Sequence, residues 1–270
     1  MPPTITTLSS GVSLSVIDEG VGQPIVLLHG VCMSNVFFGR NIDSLSRTNR
    51  VIAPDFRGHG SSPATQGGHT LDQYARDVRA LITDLGLQDV ILAGWSMGSL
   101  VAWEYLSQFS DDHRLAGVVI ISQGPSDLIQ DGWPFGIADI PTLHEYVRLM
   151  QADTDGFLAG FVPTMFKDEI SPAQHGAFMD AISTVGANTG SLILLDQTLR
   201  DYRDLIPTFD VPHLLAWGSD EKVIQVGSSD WLLDQLPNAR RVMFEESGHC
   251  PMWEEAELFN EVVAEWSAAL

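Results

Sequence analysis

Ser96 stands in the run Gly94-Trp95-Ser96-Met97-Gly98-Ser99, with a glycine two positions before it and another two positions after it. The apolar stretch 90–93 leads directly into this run, and residues 100–108 read as a helix behind it. G-x-S-x-G alone arises by chance. Set between a buried strand and a helix, it describes a turn so tight that only small residues fit two positions either side of the serine. The serine hydroxyl then projects above the strand ends, where the N-terminus of the following helix favours developing negative charge. Such a hydroxyl is suited to attack on a carbonyl, forming a covalent acyl intermediate that water resolves.

A nucleophile of this kind needs a rigid frame, and the hydrophobic pattern predicts one. Short β-branched runs at 12–17, 25–28, 51–53, 90–93 and 118–121 read as strands. The last four are apolar without alternation, as expected of strands covered on both faces in a parallel sheet. Between them, Leu71, Tyr74, Val78, Leu81, Ile82 and Leu85 fall on one face of a helix over 71–85. Alternating β and α units argue for an α/β fold with a doubly wound, mostly parallel sheet. After Ser122 the strand signal stops. Helices are predicted over 141–151, 156–165, 172–185 and 191–205, and the βα pattern resumes with strand 213–217, helix 229–236, strand 241–244 and helix 254–269. A connection of roughly 85 residues is far beyond an ordinary loop, so it must be structured. The expectation is a core domain of residues 1–123 and 210–270, with a helical cap of residues 124–209 inserted in it.

The 270 residues are 44% hydrophobic, enough for a sizeable core, and carry 35 acidic against 14 basic side chains, a formal charge of −21. That surface disfavours nucleic acid and anionic lipid as partners. The first residues lack the pattern of a secretory signal, and no run is long and apolar enough to span a bilayer, so a cytoplasmic protein is expected. Two cysteines, Cys32 and Cys250, are too few for a disulfide framework and have no zinc-site spacing, so two free thiols and no metal are expected. No phosphate-cradling glycine loop opens the first βα unit, so no cofactor is expected. Sequence leaves monomer and homodimer equally open.

With these motifs in hand, the chain resembles the α/β-hydrolase fold family over nearly its whole length apart from the cap. Val26-Leu27-Leu28-His29-Gly30-Val31-Cys32 matches that family's strand ending in His-Gly. The resemblance implies an oxyanion hole made of the backbone N–H groups of Val31 and Met97. Many relatives have an aromatic where this chain has Val31, which implies a roomier acyl pocket. Asp55-Phe56-Arg57-Gly58-His59-Gly60-Ser61-Ser62 resembles the family's D-x-R-G-x-G-x-S turn and implies a structural role, and His29 is expected to brace its loop. Gly248-His249-Cys250-Pro251 falls where the family carries its catalytic base, which implies that His249 takes the serine proton. His69 and His113 read as surface residues.

Trp217-Gly218-Ser219-Asp220-Glu221-Lys222 falls where relatives carry the acid that orients this base, three positions after the glycine. Strict register favours Glu221, and Asp220 one step earlier stays open. Some relatives place the acid after the strand that precedes the cap. Here that position reads Ser122-Gln123-Gly124 and offers no carboxylate. The order serine, acid, histidine is the order expected of this fold.

A serine nucleophile argues against haloalkane and epoxide chemistry, which uses a carboxylate in this fold. The expected function is hydrolysis of carboxylic esters or lactones of a small to medium hydrophobic molecule, with Trp95, Phe37, Phe38, Trp133, Phe161 and Met165 as apolar lining candidates. The same triad would also serve a cofactor-free perhydrolase or haloperoxidase, or a carbon–carbon bond hydrolase. A ligand-sensing signalling protein that retains the triad is the reading from a different class.

Overall fold

The computed structural model describes residues 2–270. The chain runs through β1 (Thr4–Thr7), β2 (Ser13–Gly20), β3 (Pro24–Leu28), α1 (Ile42–Leu45), β4 (Arg50–Pro54), α2 (Leu71–Asp84), β5 (Val90–Trp95), α3 (Met97–Gln108) and β6 (Leu115–Ile121). Four helices follow before the next strand of the sheet: α4 (Ile140–Ala152), α5 (Thr154–Phe161), α6 (Pro172–Ile182) and α7 (Ala187–Thr198). The chain ends with β7 (His213–Gly218), α8 (Gly227–Gln235), β8 (Ala239–Phe244), α9 (Pro251–Glu254) and α10 (Ala256–Ala268).

The eight strands form one sheet in the order β1-β2-β4-β3-β5-β6-β7-β8. Only the pairings of β1 with β2 and of β2 with β4 are antiparallel. The rest are parallel, which makes this the doubly wound α/β-hydrolase architecture expected from the sequence. The central strands are apolar at every position because both faces are covered. Val26, Leu28, Leu92, Val118 and Ile120 point into a core shared with α2 and α3. The alternating residues Ile25, Leu27, Ile91, Val119 and Ile121 point into a second core closed by α10. Strand β1 gave no sequence signal because Thr4–Thr7 is a polar and largely exposed edge.

The segment between β6 and β7 is helical, and its residues feed the two main cores. Met150, Leu158, Val162, Phe178 and Ile182 join the second core, Ile193 and Tyr202 join the first, and only Ala138, Leu143 and Leu194 form a small cluster apart. Local signals set the ends. Asp139 caps α4 by accepting from the Thr142 N–H, and Ser171 with Gln174 forms a capping box on α6. The single helix expected over 156–165 is divided: α5 stops at Phe161 and Val162–Met165 is a 3₁₀ turn, where Pro163 has no N–H to continue the ladder. Helix α7 starts earlier than expected and ends at Thr198; beyond it the Tyr202 N–H donates to the Pro125 carbonyl instead. Among the described residues no single helix is long and apolar enough to cross a membrane. The pair α6 and α7, bent by 93°, passes only on combined length and composition.

Candidate active site

The carboxyl ends of the parallel strands meet at one place, the usual position of a site in such a sheet. At three of these ends the chain turns through left-handed backbone: Cys32 past β3, Ser96 after β5 and Ser122 after β6, with φ of 60°, 52° and 48°. Ser96 has ψ of −124°, a conformation that costs a residue with a side chain roughly 1–3 kcal/mol. The surroundings hold it there. The Ser96 N–H donates to the Ile121 carbonyl at 2.9 Å and its own carbonyl accepts from the Ser99 N–H at 2.8 Å. Ser99 Oγ donates to the Gly94 carbonyl at 2.6 Å and accepts from the Ile121 N–H at 3.3 Å, locking the turn from beneath. A Cβ on Gly94 would run into the Gly98 carbonyl, and one on Gly98 into the Leu28 carbonyl of β3. The glycine spacing is therefore a packing requirement.

His249 lies on the loop between β8 and α9 and is fixed at both sides of its backbone. Its N–H donates to the Met165 carbonyl at 2.8 Å, and its carbonyl accepts from the Trp95 indole at 2.8 Å. The Trp95 and His249 rings lie 5.6 Å apart between centroids, which sets the imidazole beside the serine turn. Its Nδ1 is 3.0 Å from Glu221 Oε2. Both side chains are essentially inaccessible to solvent. Glu221 Oε1 in turn accepts from the Val223 and Ile224 N–H groups, at 2.8 and 3.1 Å. Those bonds aim the carboxylate at Nδ1, so a neutral imidazole carries its proton there and keeps its lone pair on Nε2. Asp220 has a half-exposed side chain 3.9 Å from Lys222, so the alternative acid is not the partner of the imidazole. Glu221 is. No hydrogen bond joins Ser96 Oγ to the imidazole among the described residues; such bonds often tighten only when substrate is bound.

Val31 and Met97 flank the serine. Met97 is the first residue of α3, where an N–H has no preceding turn to bond, and neither its N–H nor that of Val31 has a partner among the described residues. His29 holds the Val31 loop: Nε2 accepts from the Phe56 N–H at 3.0 Å, which leaves Nδ1–H to donate to the Gly30 carbonyl at 2.8 Å. Burial pushes its pKa well down, so it is a neutral brace between this loop and the 55–62 turn. Asp55 organises that turn by accepting from the Asn35 and Ser61 N–H groups. His69, expected at the surface, is buried against Thr189 and Tyr74.

A cavity of about 710 Å³ opens onto Ser96, with Val31, Ile137, Met150, Phe157 and Phe161 among its walls. Five of the six expected lining residues are elsewhere. Trp95, Phe37 and Phe38 are wholly buried in the core under the serine turn, with Phe37 stacked on Trp95 at 5.0 Å. Trp133 packs edge-on against Phe135 and Trp231 and donates its indole N–H to the Ser126 carbonyl. Met165 is buried and meets the site only through its carbonyl. These side chains are large and apolar enough to be drawn wholly inward; Phe161 remains on the cavity wall. The sequence reading missed Asp127, Gln123 and Gln197, which line the same cavity. Asp127 stands just beyond the Ser122–Gly124 stretch, which carries no carboxylate, while nothing near Gln197 on α7 signals a site. Both cysteines are buried and unpaired, and burial pushes the Cys32 thiol up to about 12.

A family model described as the alpha/beta hydrolase fold matches residues 23–256. The chain belongs to the α/β-hydrolase family. Among its relatives, the AB hydrolase superfamily protein YisY of Bacillus subtilis is 28% identical over 260 residues, covering 95% of this chain and 96% of the relative. The non-heme chloroperoxidase CPO-A1 of Kitasatospora aureofaciens is 28% identical, covering 91% of each. Among solved structures, an esterase from Exiguobacterium antarcticum superposes with a TM-score of 0.92 at 26% identity, covering 98% of this chain and 99% of that one. This α/β-hydrolase therefore shares its fold with members of the family, over nine-tenths or more of each chain's length.

Proposed function

We propose that this α/β-hydrolase cleaves carboxylic ester or lactone bonds of a small to medium, largely hydrophobic molecule through an acyl-enzyme on Ser96. His249 takes the serine proton and returns it to the leaving oxygen, and Glu221 holds the imidazole and stabilises its charged form. The Val31 and Met97 N–H groups receive the oxyanion; one such donor is worth roughly 3–4 kcal/mol of barrier in a comparable site. The observation that carries the reading is the buried Glu221–His249 pair set beside a serine held in a strained turn at the mouth of an apolar cavity. The similarity to an esterase of nearly identical span supports the ester as the bond attacked. Two unpaired cysteines fit a reducing compartment such as the cytoplasm.

The chloroperoxidase relative favours a second reading, in which hydrogen peroxide rather than water opens the same acyl-enzyme. A chain-length series of p-nitrophenyl esters and simple lactones tests the first reading. The parent should turn over at least one class, and Ser96→Ala should lose kcat/KM by more than about 10³-fold with its fold intact. A Ser96→Ala variant as active as the parent would refute it.

A further inference from the structure

The proposed reaction leaves one group of cavity side chains unused. Gln123 and Asp127 come from the loop after β6 and Gln197 from α7; all three are 1–2% exposed and line the cavity that reaches Ser96. Gln123 Nε2 donates to Asp127 Oδ1 at 2.6 Å, and Gln197 Nε2 donates to Asp127 Oδ2 at 3.0 Å. Gln197 Oε1, although buried, has no hydrogen-bond partner among the described residues. One N–H of each amide is thus turned onto the carboxylate, and Gln123 gives its second to the Gly124 carbonyl at 3.0 Å; what remains is mostly acceptor capacity, the spare lone pairs of Asp127 and the free oxygen of Gln197, beside one N–H of Gln197. A tie between the β6 loop and α7 would not need a carboxylate, nor would it leave a buried oxygen unmatched. A hydrocarbon filling the cavity would strand these acceptors, whereas a ligand bearing an N–H or O–H would satisfy them.

Resting on the ester-hydrolase reading, we propose that Asp127 and Gln197 form a recognition subsite for a hydrogen-bond donor carried by the substrate away from the scissile carbonyl, a hydroxyl or an amide N–H. Gln123 holds the carboxylate in place for it. The natural substrate is then an ester or lactone with a polar donor on an otherwise apolar body, not a plain fatty ester. Discrimination follows the usual asymmetry: a site built to bond a donor penalises the analogue that lacks it.

The test compares p-nitrophenyl esters of matched length whose acyl chains are plain, hydroxylated, O-methylated, interrupted by a secondary amide, or interrupted by the N-methylated amide. For the parent, kcat/KM should favour the hydroxyl or the secondary amide over its methylated and plain counterparts by about tenfold or more. The two arms identify which donor is read. Gln197→Met should reduce that ratio at least about fivefold. Asp127→Asn should abolish or invert it, since Gln197 can then turn its amide over and present a donor. Parent ratios within twofold in both arms overturn the proposal, whether or not the variants fold. So do variants that slow every ester equally with the ratio unchanged, the result expected if Asp127 and the two glutamines are only a structural tie. A parent that hydrolyses no ester removes the ester-hydrolase reading itself and the subsite with it, a result distinct from turnover without preference.

Discussion

The Glu221–His249 pair makes the sharpest quantitative demand. In Glu221→Gln the side-chain amide keeps its shape but must choose which neighbours to satisfy. Its oxygen can keep the Val223 and Ile224 N–H groups, now at 2.8 and 3.1 Å, and its NH₂ then faces His249 Nδ1. Two N–H groups cannot bond each other, so Nδ1 gives up its proton and Nε2 takes it. The imidazole then presents a donor toward Ser96 where a base is needed. The alternative orientation leaves two buried backbone N–H groups without an acceptor. Either way the imidazolium loses its countercharge in a site closed to solvent.

The expected loss is about 10³–10⁴ in kcat, or roughly 4–5.5 kcal/mol of barrier, with KM for a short p-nitrophenyl ester changed by less than about threefold. Steady-state kinetics on whichever ester the parent turns over best reads this directly, with circular dichroism to verify the fold. Asp220→Asn, at the half-exposed neighbour, should stay within about twofold of the parent. Retention of activity by Glu221→Gln alongside its loss in Asp220→Asn would refute the geometry on which the mechanism stands.

Further outcomes follow from side chains at the cavity and in the core beneath it. Burial pushes the Asp127 carboxyl up from 3.8 to about 6, so between those pH values the folded chain holds a proton that the unfolded chain has released, and stability falls as pH rises. Asp127→Asn removes that dependence: its stability relative to the parent should climb by roughly 2 kcal/mol from pH 4 to pH 7, read as diverging Tm values, and parallel Tm–pH curves would contradict the assignment. Trp95→Ala should cost about 3–5 kcal/mol in urea unfolding, because the ring is core. Phe161→Ala should instead shift the preferred acyl length while costing much less stability; equal losses in the two would mean that the cavity wall is wrongly drawn.

What could be read from the sequence divides along a physical line. Gly94, Ser96 and Gly98 were legible because their spacing is dictated by backbone clashes that no other packing relieves. His249 and Glu221 were legible through the resemblance, because the family carries its base and its acid on the loops after these two strands, and its spacing counted from Gly218 favours Glu221 over Asp220. The doubly wound sheet was legible for the same reason, since strands covered on both faces are apolar throughout. The helices between β6 and β7 could be counted but not docked. Their apolar residues satisfy either a cap of their own or the cores of the sheet, and hydrophobicity does not distinguish the two. Gln197 was invisible because a polar residue on a helix ordinarily faces water; only the docking of α7 over the β6 loop buries it against Asp127.

The misplaced aromatics are part of the same mechanism. A serine held at φ 52° relaxes unless its surroundings over-determine it, and hydrogen bonds from Ser99 constrain only the backbone. Trp95 supplies the rest. Its ring lies against Gly30, where an added Cβ would come within 3.3 Å of it; it also stacks on Phe37, and its N–H grips the His249 carbonyl. Phe37 stacks in turn on Phe178 of α6 at 4.3 Å. One continuous aromatic column therefore runs from the Gly30–Val31 loop, past Ser96 and His249, to α6. Exposing these rings to substrate would gain contact area but free the three elements to move independently. These rings are thus spent on holding the loops together, and the cavity is left to be walled by Val31, Phe161 and the residues beyond them, with few polar atoms among them.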